Sequence, residues 1–240
     1  MNHRPHQPAM HCTCGAADPA RRAFLRGGLA LAAAAAAPAL WAQSEAQRGT
    51  QHGTQSRPAI RSLRGLVRVN GERAGTSAPI RPGDTIATGS DGRISFVVGG
   101  DAYFLRENSE LKIESSAAGS ALIDSLRMVT GALGAVFARR QSGQVALHTP
   151  TVTAGIRGTG CYTEVRDEGV YFCTCFGAIQ LTSENGGQQE LVVSSHHDPR
   201  LIMRNERDGK TIMSSTFGQH TDQEMDALER LVGRRAPWAT

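Results

Sequence analysis

The chain of 240 residues is poor in aromatic side chains, which make up only 5% of it. So few rings give no stacking platform for single-stranded nucleic acid. It is also short of excess charge. The formal net charge of +4 is concentrated at the N-terminus, where residues 1–42 hold Arg4, Arg21, Arg22 and Arg26 against the single acid Asp18. Setting those aside from 26 basic and 22 acidic residues leaves 22 and 21, a near-neutral remainder. No basic stripe is left to follow a phosphate backbone, so nucleic acid is not an expected partner. Beyond residue 42 no apolar run reaches the length of about 20 residues needed for a transmembrane helix. Hydrolase signatures are missing as well: there is no Gly-x-Ser-x-Gly and no His-Glu-x-x-His. No nucleophile–base pair stands out, and the sequence gives no reason to expect an enzyme.

What is present begins with an export signal. Arg21-Arg22-Ala23-Phe24-Leu25-Arg26 resembles the twin-arginine translocation motif, and the run from Gly27 to Leu40 is weakly apolar and mostly alanine. Small residues suit cleavage after Ala39 or Ala42. Residues 1–42 therefore read as a targeting segment to be set aside from the fold. The expected location is the bacterial periplasm, or export more generally. An uncleaved signal segment would be the only link to a membrane. Folded-protein export also raises the expectation of a cofactor acquired before transport.

Residues 43–58 are polar and aperiodic and read as a linker. From residue 59 the pattern changes to short apolar stretches broken by Gly, Asp and Asn, among them Arg93–Val98, Ala102–Arg106, Glu110–Glu114, Val170–Phe176 and Glu190–Ser194. Asn70-Gly71 is a strong hairpin signal because both residues tolerate positive φ. These features predict a mainly β fold of stacked short strands, a roll, solenoid or sandwich, spanning residues 59–183. One helix is predicted over about 222–232 in a C-terminal extension of residues 184–240. Thr221 and Glu224 have capping-box spacing, Met225, Leu228, Leu231 and Val232 share a face, and Gly233 stops the helix. The tail through Ala236-Pro237-Trp238 is expected to fold back onto the body.

Several stretches in residues 60–182 are similar to the FecR domain family. They are Leu66-Val67, Gly83-Asp84-Thr85-Ile86-Ala87-Thr88-Gly89, Arg93–Val98, Leu105–Leu111, Leu126–Gly134 and Thr149-Pro150 through Arg157-Gly158-Thr159. The resemblance implies an all-β domain that works through contacts with another periplasmic or envelope protein. The best known FecR proteins are inner-membrane sensors that receive a signal from an outer-membrane receptor and pass it to a sigma factor through an N-terminal cytoplasmic domain. Here an export signal stands in that place, so the expectation is a stand-alone exported module without its own sigma-binding domain.

Arg157-Gly158-Thr159 has two readings. As structure, the guanidinium bonds carbonyls in a tight turn while Gly158 admits close backbone approach. As function, Arg157 binds a carboxylate-bearing ligand.

The five cysteines are Cys12 and Cys14 in the presequence, and Cys161, Cys173 and Cys175. In a strand, Cys173 and Cys175 share a face. A three-residue loop at Asp167-Glu168-Gly169 would set Cys161 opposite Cys175 and bring all three thiols together. A loop one residue different would turn Cys161 to the other face. With His196, His197 and His220 these thiols form a candidate set for zinc, or less specifically copper or iron. The competing reading joins Cys161 to Cys175 or Cys173 in a disulfide, buries the third cysteine and leaves the histidines in loops. His148 reads as a satisfied sheet residue.

Overall fold

A computed structural model describes residues 59–115, 123–141 and 143–239. The signal motif at Arg21-Arg22, Cys12, Cys14 and the whole linker, residues 43–58, lie outside these residues.

The described chain is mostly strand, with a single C-terminal helix. In order the strands are β1 (Ile60–Arg64), β2 (Val67–Val69), β3 (Glu72–Arg73), β4 (Thr85–Thr88), β5 (Arg93–Val98), β6 (Asp101–Leu105), β7 (Glu110–Glu114) and β8 (Ser125–Thr130). There follow β9 (Ala132–Val136), β10 (Val145–His148), β11 (Val152–Ile156), β12 (Gly160–Val165), β13 (Gly169–Ser183), β14 (Gln189–Ser194), β15 (Asp198–Arg207) and β16 (Lys210–Ser214). Helix α1 is Asp222–Leu231.

The turns have local causes. Asn70 and Gly71, at φ of 53° and 83°, close the β2–β3 hairpin. Asp208 and Gly209, at 52° and 75°, close β15–β16 in the same way. Ser109, buried in the Asn108-Ser109 turn, accepts the Ala132 N–H at 2.9 Å and so ties β7 to the start of β9.

The pairing forms two layers that share one strand. The first runs β1-β5-β6-β9-β12-β13 and is extended by β15 and β16. The second runs β13-β11-β10-β8-β7-β4-β2-β3, with β14 on the other side of β13. All pairs are antiparallel except β8 with β10. The N-terminal half of β13, residues 169–176, belongs to the first layer, and residues 177–183 belong to the second. The bend falls at Gly177, where φ is +89°. A Cβ there would stand 2.4 Å from Thr159 Cγ2, so no other residue fits without displacement.

Alternation along the strands sorts side chains between two apolar clusters. Val170 and Phe172 of β13 point into the main core, together with Phe96, Leu105, Leu126, Leu147 and Ile156 from both layers. Tyr171, Cys173 and Cys175 point the other way, to a second cluster roofed by Met225 and Leu228 of α1. Thr221 caps α1 by accepting the Glu224 N–H, and the Glu224 carboxylate accepts the Thr221 N–H in return. The tail does fold back, with Ala236 buried and the Trp238 ring against Phe176.

Strands β15 and β16 fall where the sequence pattern suggests none. Residues 184–239 thus supply strands to both layers as well as the helix.

Candidate metal centre

The β12–β13 hairpin decides which cysteines meet. Arg166 N donates to Gly169 O at 2.8 Å, and Gly169 N to Arg166 O at 3.3 Å. The turn therefore contains only Asp167 and Glu168, one residue fewer than the expected loop. Cys161 consequently pairs with Thr174, not Cys175. Its thiol enters the main core between the layers, on the opposite face from Cys173 and Cys175. This corrects the expectation that three thiols share a face, and the same pleat rules out a bridge from Cys161 to either of the others. All three described cysteines are free.

Cys175 occupies a β-bulge. Gly160 pairs with Phe176 and Cys161 with Thr174, leaving Cys175 as the extra residue on β13. A bulge re-aims a side chain and bends the strand. Here it precedes the bend at Gly177, so the partners of β13 change just beyond it. Strand β14 pairs with residues 177–182 and β15 with residues 169–174. The link between them must cross beside Cys175, and His196-His197 is that link. His197 takes φ of 50°, and its N–H donates to Cys175 O at 3.0 Å. This corner brings the His197 ring over the thiols.

The fourth group arrives from the helix side. His220 immediately precedes the cap Thr221 and is buried, its ring stacked on Tyr162 at 4.5 Å. Arg106 holds this approach in place. Its guanidinium donates to Gln219 O at 2.9 Å and to Glu224 at 2.7 Å.

Cys173 Sγ lies 3.7 Å from His197 Nδ1. His197 Nδ1 lies 3.3 Å from His220 Nε2, and that atom 3.2 Å from Cys175 Sγ. All four ligand atoms fall within 4.8 Å of one another. The outward nitrogens are also engaged. His197 Nε2 is 2.6 Å from Asp222 Oδ1, and His220 Nδ1 is 3.1 Å from Gly218 O.

The electrostatics suit one thiolate beside one thiol. Hydrogen bonding from Cys175 lowers the Cys173 pKa to about 4, with further help from His197 and His220. Burial pushes Cys175 well up, and the neighbouring Cys173 charge pushes it further. Burial works against protonation of His197, but hydrogen bonds to Cys173 and Asp222 outweigh it and raise its pKa. The hydrogen bond from His197, followed by that from His196, lowers Asp222 against the opposing effect of burial. Burial, and then the charge of Cys173, raises Cys161 far above the thiol range.

Of the six predicted ligands, Cys173, Cys175, His197 and His220 converge. Cys161 is excluded by the register. His196 stands outside the cluster, half-exposed, with Nε2 3.1 Å from Asp222 Oδ1 and its ring 4.8 Å from that of Trp238. Asp222 is the participant that sequence reasoning missed. Its signal was an acid in the first turn of a capped helix, two residues beyond His220. His148, with Nδ1 2.8 Å from Thr153 Oγ1, is a satisfied sheet residue as expected.

The Arg157 turn departs from its expected structural role. Arg157 is exposed, and its guanidinium bonds no carbonyl among the described residues. Gly158 does carry the close approach. It has φ of +68°, and a Cβ there would stand 2.8 Å from Arg139 Cα. Thr159 is buried, and its carbonyl accepts the Phe137 N–H at 2.9 Å.

No family model and no curated protein matches the sequence. Among solved structures, two of a putative anti-sigma factor from Parabacteroides distasonis ATCC 8503 are similar, each at 10% identity and a TM-score of 0.44. The match covers 55% of this chain and 58% of theirs, so the chain spans little more than half the length of those structures.

Proposed function

We propose that the protein is an exported β module of FecR type that holds a thiophilic transition ion, zinc foremost, between Cys173, Cys175, His197 and His220. The observation that carries this reading is the pairing of each inward ligand nitrogen with an acceptor on the same ring's outward nitrogen. Metal-binding histidines are oriented in this way, by a carboxylate or a backbone carbonyl. Ion bonds of about 2.0–2.1 Å to nitrogen and about 2.3 Å to sulfur put tetrahedral ligand atoms roughly 3.3–3.8 Å apart. The three neighbouring separations of 3.2, 3.3 and 3.7 Å are close to that spacing before any ion draws the ligands in.

Two thiols and two imidazoles favour zinc over hard cations such as magnesium and calcium, with copper and iron as the other thiophilic candidates. Four protein ligands close a tetrahedral site and leave no position for a substrate, so the role is binding and architecture. Cys173 and Cys175 come from a central strand, whereas His220 comes from the arm that carries α1. An ion at this position would fasten that arm to the sheet.

The test is metal analysis of protein purified from the exported fraction, followed by cobalt substitution. One equivalent of metal is expected, with sulfur-to-cobalt charge-transfer absorption that is lost in Cys173→Ser. Metal-free protein that takes up no cobalt overturns the reading. Export itself is tested by Arg21→Lys/Arg22→Lys, which should hold the chain in the cytoplasm.

A second reading, action through contact with another envelope protein, is favoured by β14. Its outer edge pairs with no described strand, and Leu191 and Val193 on it are 60% and 67% exposed. Photo-crosslinking from position 193 in cells should trap a discrete partner, and an empty lane counts against this reading.

A further inference from the structure

The Arg157 turn, unused by the metal centre, borders a cleft of about 840 Å³ that also takes in Arg139, Arg140, Gln141 and Val193. The geometry points to this cleft as a binding site for a ligand that carries several carboxylates.

Three observations lead there. The first is charge. Three guanidinium groups line the cleft, and its walls contain no Asp or Glu. Arg140 is neutralised from behind by Asp101, at 3.1 Å. Arg139 and Arg157 have no acidic partner among the described residues, although the chain beyond the signal is almost balanced in charge. Both guanidinium groups are exposed and, among the described residues, unpaired, so their donors are open to an anion at this cavity.

The second is rigidity. The segment that presents Arg139 is braced by Asp101, a carboxylate only 3% exposed. Asp101 accepts the Ala138 N–H at 2.7 Å as well as the Arg140 guanidinium. On the other side the carbonyl of Thr159 accepts the Phe137 N–H. Gly158 lets the Arg157 turn approach within contact of the Arg139 backbone, an approach that any side chain at 158 would block. The two arginines are thus held close by fixed backbone, which lowers the ordering cost of binding.

The third is chemistry. A guanidinium fork matches the two oxygens of a carboxylate, and such charge-assisted pairs are about twice as strong as neutral hydrogen bonds. Val193 and Ala178 beside the arginines offer apolar surface to a carbon skeleton, which an inorganic anion would not use. The carboxylates could belong to a small polycarboxylic acid or to glutamates on another polypeptide.

Calorimetry on the folded, metal-loaded protein at low salt separates these outcomes, using propane-1,2,3-tricarboxylate, a hexaglutamate peptide, pyrophosphate and acetate as probes. At least one of the first two should bind and weaken with added salt. Arg139→Gln/Arg157→Gln should lose tenfold or more while metal content and melting temperature hold. Arg157→Lys should lose severalfold despite its retained charge, because the fork is gone. Tricarboxylate alone identifies a small acid as the ligand, and hexaglutamate alone an acidic chain. The proposal is overturned if neither binds at millimolar concentration. It is equally overturned if the double variant binds like the parent, or if pyrophosphate or acetate binds as tightly as the carboxylate probes.

Discussion

The Nε2 atom of His197 lies 2.6 Å from Oδ1 of Asp222, and the opposite nitrogen of the same ring faces the sulfur of Cys173. The ring is thereby set in one orientation by a residue of the helix and used by a residue of the sheet.

Asp222→Asn should consequently weaken metal affinity by about 10–100-fold while the fold survives, since outer partners of ligating histidines carry effects of that size. Competition against a chromophoric chelator measures it. An unchanged affinity would remove Asp222 from any orienting role.

The cysteines should divide by face. Cys175→Ser should abolish the cobalt–thiolate absorption, as Cys173→Ser does. Cys161→Ser should keep it and instead cost about 1–3 kcal/mol of stability, because it puts a hydroxyl into the core. Loss of the absorption in Cys161→Ser with normal stability would contradict the register described above.

Protons should compete with the ion. Near neutral pH the Cys175 thiol, raised by burial, holds a proton that ligation must displace, and the contacts that raise His197 favour its protonated form against the ion. Affinity should therefore fall as pH falls, with at least one proton released per ion. Calorimetry in buffers of different ionisation enthalpy counts them.

Metal-free protein should show a separate pH signature. Cys173 is depressed from 9.0 to about 4, so its contribution to stability is complete above pH 9, shrinks on descent and is lost below pH 4. His197 is raised, so its contribution is complete below pH 6.5 and is lost as pH climbs through its folded value. The stability gap between metal-free parent and Cys173→Ser should widen from pH 4 towards pH 9. A gap that stays constant would mean that Cys173 is not a thiolate in the fold.

Gly177→Ala should be among the most damaging single changes outside the ligands. It combines a positive φ with a Cβ 2.4 Å from Thr159 Cγ2. A loss well above 1 kcal/mol is expected, together with reduced metal content, because Cys175 is two residues away. A melting curve and a metal assay on one preparation test both.

Much of this was legible where chemistry is local. Asn70-Gly71 announced its hairpin, and Thr221 with Glu224 announced the helix start. Cys173 and Cys175 share a face because the strand period demands it. The grouping of His197 and His220 with them could be suggested but not fixed, since it depends on where β13 changes partners. Cys161 was misplaced because one residue of turn length reverses a face, and the two-residue turn at Asp167-Glu168 does not advertise itself as Asn-Gly does. Strands β15 and β16 went unread even though Asp208-Gly209 carries the same positive-φ signature, because polar and charged residues from Arg204 to Lys210 hide the alternation.

The continuity of β13 has a consequence for how the molecule comes apart. Its two layers face each other across the main core, but they are not separate plates. One backbone passes through both, so neither can peel away without breaking hydrogen bonds on that shared strand. The domain should therefore melt in a single transition, with the core and the thiol pocket lost at the same temperature.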